Sequence, residues 1–476
     1  MFASVLSPDQ ITRLHDHTLR LLGEIGVEIP HPDMLARFAD AGAQVDFAAQ
    51  RVRIPAEVVQ WALDQCGKQY TLYGRDLTKT ARFGQGARNY NSIAGEASWI
   101  EELGGKRRYA RLSDVAVAAR LGDALPHINI VGAMTDPHDV PPPVACIEVL
   151  AELVRHTTKP PTLWYHDRAS ARYLNEIQIA LRGSEQAATE LPYTYPFLEP
   201  ISPLRFPFAG VDLLYETARL NLPVPIGPMA QTGLSAPCTL AATMAQENAE
   251  ILAGVCVTQL IRPGMPVCYG GIPHAFDMRT TQLIFSGPEQ ALFGVAMTQL
   301  GKHYGLPVYI NVGLTDSKRV DAQAGLEAGV SLAFGAAAGA DIFGHMGISG
   351  VDQAASADML VFQDEVIGFV ESTLRELDCS DEALGFDTSL SAGPGGGSFI
   401  GEEHTARHFR REIWQPTVLD RQFYQAWLDE GAASTEERVV AKRQELLATH
   451  EVEPVSEELE KALTEIVAAA RRELTR

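Results

Sequence analysis

Long apolar runs are missing from this chain. No stretch reaches the roughly 18 consecutive apolar residues that a membrane-spanning helix needs. The first ten residues, Met-Phe-Ala-Ser-Val-Leu-Ser-Pro-Asp-Gln, have no basic segment ahead of an apolar one, so they lack the pattern of a secretory signal peptide. We expect a cytoplasmic protein that does not interact with membranes.

Cysteine is scarce, and no two cysteines are spaced as a pair of metal ligands. The chain of 476 residues has six cysteines, which are Cys66, Cys146, Cys238, Cys256, Cys268 and Cys379. None of them forms a Cys-x-x-Cys motif. This spacing predicts reduced, mostly buried thiols and argues against a structural zinc site.

Positive charge is in short supply as well. Lys and Arg number 39 against 60 Asp and Glu, which gives a formal net charge of −21. Nucleic acids and anionic membranes attract basic surfaces, so the charge balance argues against both as partners. It is compatible with a cationic ligand or a basic protein partner, although most acidic surfaces only keep a protein in solution.

What the chain does have is a repeated pattern of a short apolar run followed by a long helical stretch. The runs are 223–229, 266–271, 307–313 and 340–347, and their starts lie 43, 41 and 33 residues apart. Apolar runs without polar alternation are typical of parallel strands that are buried on both faces. Strand–helix repetition of this length indicates a doubly wound sheet or a (β/α)8 barrel.

We predict an α/β fold with a (β/α)8 TIM barrel at residues 81–433. The other strands are placed at 128–134, 161–166, 196–203 and, as the eighth, 385–392, which runs into the glycine-rich loop 393–397. That loop fits no phosphate-binding glycine motif, so a mobile lid or a loop at the barrel mouth is the better interpretation. A small α+β extension (1–80) precedes the barrel, and a helical tail (434–476) follows it. Gly104-Gly105 predicts the turn of a hairpin within 89–111.

Aromatic and polar residues collect where the predicted strands end. Ligands of both fold types bind at the carboxyl ends of parallel strands. Several rings on one such edge suit a quaternary ammonium group, which has no N–H to donate and is held by π faces. Taken singly, an aromatic residue at a strand end is more often part of the core than of a site. The residues are Trp164, Tyr165, His166, Tyr269, His274, Asn311, Phe343 and His345.

Three further positions have two interpretations each. Asp316 could be a general base or a residue that satisfies backbone N–H groups of its loop. Arg279 could bind a substrate carboxylate or form a structural ion pair. His404 and His408 share a helical spacing, but no third ligand stands nearby and their neighbours are arginines, so we expect no metal there.

Several segments, taken in order, resemble the trimethylamine methyltransferase (MttB-like) superfamily. They include Leu-Gly-Glu-Ile-Gly-Val-Glu-Ile at 22–29, Asp-Met-Arg at 277–279 and Asp-Ser-Lys-Arg-Val-Asp-Ala-Gln-Ala-Gly at 316–325. Further matches lie at 41–46, 53–55, 286–289, 395–396 and 404–405. The resemblance implies a (β/α)8 barrel that moves a methyl group from a methylated amine to the cobalt of a separate corrinoid protein. It implies no cofactor held tightly by this chain.

One departure from the family bears on the substrate. The trimethylamine branch carries pyrrolysine in its barrel, whereas every position here is a standard residue. We expect the corresponding position near 343–346. Pyrrolysine-free members resemble this chain more closely and act, where known, on quaternary amines such as glycine betaine, proline betaine or carnitine.

Quaternary amines suit a site without an acid or a metal. Displacement by Co(I) expels a neutral tertiary amine, so the protein has only to orient the substrate and exclude water. We expect Trp164, Tyr165 and Tyr269 to hold the ammonium group.

We expect His345 and Phe343 to lie beneath the ammonium group, and His166 to be a further substrate-binding residue. Arg279, His274 or Asn311 orients a substrate carboxylate, and the predicted catalytic residues are His345, Asn311 and Asp316.

Two other functions stay open at this point. One is a barrel lyase or aldolase that uses Lys318 as a Schiff-base amine or Asp316 as a base. The other is a non-catalytic betaine-binding protein. We also expect a homo-oligomer.

Overall fold

A computed structural model describes residues 3–393 and 395–475 of the chain. The N-terminal region contains the helices Pro8–Arg20, Pro32–Asp40 and Ala56–Gln65, a π-helical turn at Leu21–Ile25, the strands Val27–Glu28, Gln44–Asp46 and Arg51–Arg53, and the hairpin Tyr70–Tyr73 with Thr80–Phe83. The first helix begins at a capping box in which Ser7 and Gln10 satisfy each other's backbone N–H groups. The boundaries predicted at residues 80 and 433 stay predictions.

Parallel strands form the centre of the molecule. We number them β1 (Asn89–Ser92), β2 (Val131–Gly132), β3 (Pro161–Thr162), β4 (Val224–Ile226), β5 (Val267–Gly271), β6 (Val308–Asn311) and β7 (Ile342–Met346). Five of them form one sheet in the order β4-β5-β6-β7-β1. The four repeated runs of the sequence are therefore neighbouring parallel strands, as predicted.

Single bridges extend this sheet at both edges. Asn91 pairs with Ile130 next to the two-stranded β2–β3 sheet, and Leu198 pairs with Ile226 of β4. Of the predicted strand 196–203, only this parallel bridge at Leu198 lies beside β4. The described pairs thus give a mixed α/β fold around a curved parallel sheet.

The predicted eighth strand at 385–392 is wrong. That segment lies in the helices Asp381–Leu384 and Phe386–Ala392, the first of which begins where Ser380 accepts a hydrogen bond from the Ala383 N–H group. The strand beside β7 is instead β1, with Phe343 opposite Tyr90. The sequence of β1, Asn-Tyr-Asn-Ser, has no apolar run because its inward positions are polar. Pro394 of the glycine-rich loop lies outside the described residues.

Helices cover the outer face of the sheet. We number four of them α1 (Leu240–Ile261), α2 (Pro288–His303), α3 (Ala322–Ala338) and α4 (Ala357–Thr373). The others on this face are Leu112–Ala124, Pro142–His156, Arg168–Arg182, Glu185–Glu190 and Phe208–Thr217. Within the described ranges, no helix is long and apolar enough to cross a membrane.

The chain ends in two helices, Thr435–Thr449 and Glu457–Leu474. The first begins at a capping box of Ser434 and Glu437. The second packs on the body through two-pronged ion pairs of Arg471 with Glu148 (2.7 Å) and of Glu460 with Arg155 (2.8 and 2.9 Å).

A four-stranded sheet lies beside β7. Its strands are Ile348–Ser349, Ala354–Ser356, Ser98–Ile100 and Arg107–Tyr109, and the last two form the hairpin predicted around Gly104-Gly105.

The two faces of the central sheet belong to different clusters of apolar side chains. Cys268, Tyr309 and Ile342 belong to an inner cluster that also contains Tyr70 and Phe83 of the N-terminal hairpin. Residues next to them in sequence, such as Tyr269 and Phe343, belong to the large cluster shared with the helices. This alternation follows from the two-residue period of a strand, and it decides which side chains face the site.

Candidate substrate-binding site

A pocket of about 630 Å³ opens near the carboxyl end of β3. Its walls include Trp164, Tyr165 and His166, which follow β3, and Phe197 and Glu199, which flank the bridge at Leu198. Met229 and Gln231 come from the loop after β4. The described lining residues include no lysine or arginine, so histidine is the only basic residue type in the wall.

Trp164 and Phe197 line this pocket, and the rings of His345 and Tyr309 lie behind them. The Trp164 indole meets the rings of Phe197 and His345 edge to face, with centroids 5.9 and 6.2 Å apart. Its Nε1–H donates to the Gly95 carbonyl at 2.8 Å, which fixes the plane of the indole. Tyr309 lies behind, 5.7 Å from Phe197 and 5.4 Å from His345.

Three carboxyl groups, here called the carboxyl cluster, lie beside these rings: Glu96, Glu199 and Asp352. Glu96 follows Gly95, which touches Trp164. Burial and the neighbouring Asp352, which is hydrogen-bonded to it, raise the pKa of Glu96 to about 8. Glu199 lines the pocket, and partial loss of hydration together with the nearby Asp352 raises its pKa to about 7. At neutral pH the cluster therefore holds at least one proton, and a bound cation would favour its release.

Sequence reasoning missed the carboxyl cluster. Its members lie in three separate loops, and none belongs to a recognisable motif. Asp352 lies in a turn where Val351 and Asp352 both have positive φ angles, a feature that the sequence does not signal.

His345, His274 and Asn311 lie at the strand ends, and the His345 ring contacts the inward ring of Tyr309. Burial lowers the pKa of His345 to about 3 and that of His274 to about 4. Both imidazoles are therefore neutral at physiological pH. The Nδ1 atom of His274 bonds the Ile272 carbonyl at 2.8 Å, while its buried Nε2 atom has no partner within the described chain. The Oδ1 atom of Asn311 likewise has none there.

Tyr269 and Phe343 do not reach the pocket. The Tyr269 hydroxyl donates to Asn248 Oδ1 of α1 at 2.8 Å, within the helix layer. Phe343 stacks on Tyr90 with centroids 5.1 Å apart. Each follows an inward side chain by one residue, Cys268 and Ile342 respectively, and successive residues of a strand face opposite sides. His345 faces inward although it lies two residues after Phe343, because the register of β7 against β1 shifts between Phe343 and Met346.

Arg279 and Asp316 also lie apart from the rings. The Arg279 side chain is 90% exposed and pairs with Asp277 at 3.3 Å. Asp316 accepts hydrogen bonds from the backbone N–H groups of Phe285 and Ser286 at 3.0 and 3.1 Å. Burial raises its pKa to about 6. These contacts match the structural alternative stated for both residues.

Lys318 offers no support for a Schiff-base lyase or aldolase. Its Nζ atom donates to the backbone carbonyl of Asp316 at 2.7 Å on the exposed side of the loop. Over 3–393 and 395–475, no group of three or more His, Cys, Asp or Glu side chains has the arrangement of a metal site.

Comparison with known proteins gives a consistent result. The family model for trimethylamine methyltransferase (MTTB) matches residues 2–475. A glycine betaine methyltransferase of Desulfitobacterium hafniense (strain Y51) is 30% identical over 474 residues, which cover 99% of this chain and 98% of that protein. The trimethylamine methyltransferase MttB of Methanosarcina thermophila is 27% identical, covering 96% of this chain and 95% of its own.

A solved structure, the monomethylamine methyltransferase MtmB of Methanosarcina barkeri, aligns with 98% of this chain and 92% of its own at 12% identity. The TM-score of 0.45 is low, so the fold described above rests on the strand pairing of the chain itself. The match over almost every residue decides the family: the chain belongs to the trimethylamine methyltransferase (MTTB) family.

Proposed function

We propose that this protein transfers a methyl group from a quaternary amine of the glycine betaine type to the Co(I) of a separate corrinoid protein. The observation that carries the proposal is a pocket lined by aromatic rings and by Glu199, whose described lining contains no lysine or arginine. The other two residues of the carboxyl cluster lie next to it, since Asp352 interacts with both Glu199 and Glu96. The proposal includes a closed (β/α)8 barrel, a cytoplasmic location and a corrinoid bound to the partner rather than to this chain.

The ammonium group would lie between Trp164, Phe197 and the carboxyl cluster. A quaternary ammonium has no N–H to donate, so ring faces and nearby negative charge are the available ways to hold it. An ionised carboxylate gains more from the cation than a neutral carboxyl group does. Tyr165 and His166 would form the opposite wall.

His345 is proposed as the residue beneath the reacting nitrogen. It is the inward-facing side chain in the 343–346 segment, where the resemblance places pyrrolysine in the trimethylamine branch. A neutral imidazole there fills space and orients the ammonium group without supplying a proton. Since the leaving group is a neutral tertiary amine, none is needed.

The other end of the substrate is proposed to meet Asn311. Among the three residues predicted to bind a substrate carboxylate, Asn311 combines an inward position with an amide that can donate. Arg279 is on the surface, and His274 already bonds the Ile272 carbonyl through Nδ1. The site would thus bind the carboxylate through neutral dipoles.

The test is a donor panel mixed with a Co(I) corrinoid protein. Glycine betaine, proline betaine, carnitine, choline and trimethylamine are compared by methyl–cobalt absorbance and by release of the demethylated amine. We expect transfer from at least one quaternary amine, none from trimethylamine, and loss of transfer in Trp164→Ala. Transfer from trimethylamine alone, or from none of the quaternary amines, would refute the proposal.

A further inference from the structure

A segment that follows α4 has almost no core of its own. It comprises residues 376–393 and 395–430 and is called the arm. It contains the helices Asp381–Leu384, Phe386–Ala392, Glu403–Glu412 and Tyr424–Asp429, none of which has a buried residue. Over the described part of the arm, Val418 is the one buried side chain. Polar contacts hold its helices together, such as His404 to the Glu382 carbonyl at 3.0 Å.

The arm is nevertheless rich in apolar side chains. Twelve of the 26 large hydrophobic residues recorded as exposed lie on it, among them Ile400 at 87% and Phe423 at 91% exposure. At about 100 Å² each, these side chains present on the order of 1,000 Å² of apolar surface, more than the largest patch of a typical monomer. An ordered segment that buries so little cannot offset the entropy of its own ordering. The arm therefore requires a partner surface.

A matching apolar groove runs between α3 and α4 on the outside of the molecule. Its α3 side is made of Gly325, Gly329 and Ala333, and its α4 side includes Phe362 and Phe369; the space is about 320 Å³. The space beside Gly329 is open, because a Cβ atom added there would meet nothing within 4 Å. The lack of a side chain at this position leaves that space to the groove.

Exposed apolar side chains continue along the same helix and down to the arm. Leu326, Val330 and Phe334 repeat every fourth residue on the exposed face of α3. Leu374 and Leu419, at the base of the arm, line the end of the groove. The groove and the arm thus form one continuous apolar surface on the same chain.

The arm leaves the molecule at the edge opposite the pocket. The helix α4 begins at Ala357, after its N-cap Ser356, and its 17 residues span about 25 Å. Near its end, Glu371 contacts Arg88 and Tyr90 at the amino end of β1. The pocket lies at the carboxyl ends of the strands. A protein that docks over the pocket is therefore at the wrong edge to cover the base of the arm and the end of the groove at Leu374. The chain returns to the carboxyl edge only after the arm, where Glu436 accepts a hydrogen bond from the Val320 N–H group.

We propose that the arm of one copy lies in the groove of a second copy, and that the reverse contact closes a two-fold dimer. A chain that carries both halves of a contact is self-complementary, and two such contacts related by a two-fold axis leave neither half exposed. About 1,000 Å² of apolar surface from each copy is enough for a permanent interface of standard size. The occupant of the groove is thus this same chain.

Sedimentation velocity of the full-length chain tests the proposal with four variants. The arm variant is Ile400→Asp with Phe423→Asp, and the groove variant is Val330→Arg. The control is Phe47→Asp, a residue that is 58% exposed outside the arm and groove. A fourth variant, Val330→Ala, keeps the groove apolar. We expect dimers or a larger closed assembly for the wild type, the control and Val330→Ala. The arm and groove variants should sediment as 51.7 kDa monomers, with a dissociation constant raised at least ~100-fold.

An equimolar mixture of the arm and groove variants gives a second readout. It should regain association, because each mixed dimer contains one intact arm–groove contact. Circular dichroism checks that both variants stay folded. A monomeric wild type, or an arm variant whose assembly is unchanged, would overturn the proposal. So would an arm variant that stays assembled but no longer binds the corrinoid protein, since the arm would then be that partner's site.

Discussion

Glu96 and Asp352 share a hydrogen bond beside the indole of Trp164, and this contact gives the pocket a titratable charge. A carboxyl group buried next to another carboxyl group keeps its proton at neutral pH. A quaternary ammonium brings the positive charge that makes ionisation favourable. Substrate binding and proton release by Glu96 are therefore linked.

The first prediction is a pH-dependent affinity. Glu96 has a pKa of about 8 in the folded protein, above its ordinary value of 4.5, so it is mostly protonated below pH 8. The cation binds the ionised form better, and the dissociation constant of the amine should fall as pH rises from about 6.5 to about 8.5, by up to ~10-fold per unit. Calorimetry in buffers of different ionisation enthalpy measures both the affinity and the released proton.

Glu96→Gln is the matched variant for this experiment. It keeps the shape of the side chain but cannot ionise, so affinity should be lower and much less dependent on pH. A wild-type affinity that is flat across this range, or one that weakens as pH rises, would contradict the proposed role of the carboxyl cluster.

A pair of aromatic substitutions tests which face of the sheet binds substrate. Trp164→Leu should raise KM for the amine roughly 5- to 30-fold, the value of a desolvated cation–π contact. Tyr269→Phe removes the hydrogen bond to Asn248 in the helix layer and should lower the free energy of unfolding by about 1 kcal/mol, leaving KM unchanged. Steady-state kinetics measure KM, and urea unfolding measures the free energy of unfolding, for both variants. A KM effect in Tyr269→Phe instead would mean that this ring faces the substrate after all.

Sequence reasoning located the strand ends but not the direction of each side chain. His345 and Asn311 face inward, whereas Tyr269 and Phe343, on the same set of strands, face the helices. An all-apolar strand carries no alternation from which the inward positions can be read. The carboxyl cluster was not predictable for a different reason, because its residues meet only when three separate loops fold together.

At the scale of elements, one helix residue connects the ends of two strands through hydrogen bonds. Glu247 of α1 is fully buried, and its carboxyl oxygens accept hydrogen bonds from the N–H groups of Ala230 at 3.0 Å and Ile272 at 2.7 Å. Ala230 follows β4 and Ile272 follows β5 directly. This contact holds the loop of pocket residues Met229 and Gln231 in place.

Removal of that carboxyl group should destabilise the fold. Glu247→Ala leaves two buried N–H groups without acceptors, and we expect a loss of at least about 2 kcal/mol in the free energy of unfolding. Glu247→Gln keeps one acceptor oxygen and should lose about half as much. Urea denaturation followed by tryptophan fluorescence measures both. If Glu247→Ala changed the free energy of unfolding by less than about 0.5 kcal/mol, the two hydrogen bonds of Glu247 would not be what holds the two strand ends together.

The order of elements was predictable where the apolar pattern is strong. The four runs between 223 and 347 are neighbouring parallel strands because each is apolar on both faces. The strand at 89–92 belongs to the central sheet, whereas the sequence predicts it as part of a hairpin within 89–111, because Asn89 and Asn91 make it polar. The sequence predicts the segment 385–392 as the eighth strand instead. A strand that lines a polar interior does not show the apolar signature used to find the others.

For the whole molecule, a bound cation should raise thermal stability. Glycine betaine at about 100 times its dissociation constant adds about 2.7 kcal/mol to the folded state, which corresponds to roughly 3 °C in Tm for a chain of this length. The carbon isostere 3,3-dimethylbutanoate has the same shape and carboxylate without the positive charge. Differential scanning fluorimetry should show a shift with the betaine and little with the isostere. Equal shifts would mean that shape alone, and not charge, is recognised.

The central claim of this account is that the protein positions a charged nitrogen for attack by cobalt and supplies no proton. A single-turnover reaction of a trideuteromethyl-labelled quaternary amine with Co(I) corrinoid protein tests it most directly, at saturating amine and at two pH values, about 6.5 and about 8.5. We predict one labelled methyl–cobalt for each tertiary amine released, at a rate that does not change between the two. A rate that falls about tenfold for each pH unit gained would reveal an obligatory acid and contradict the claim.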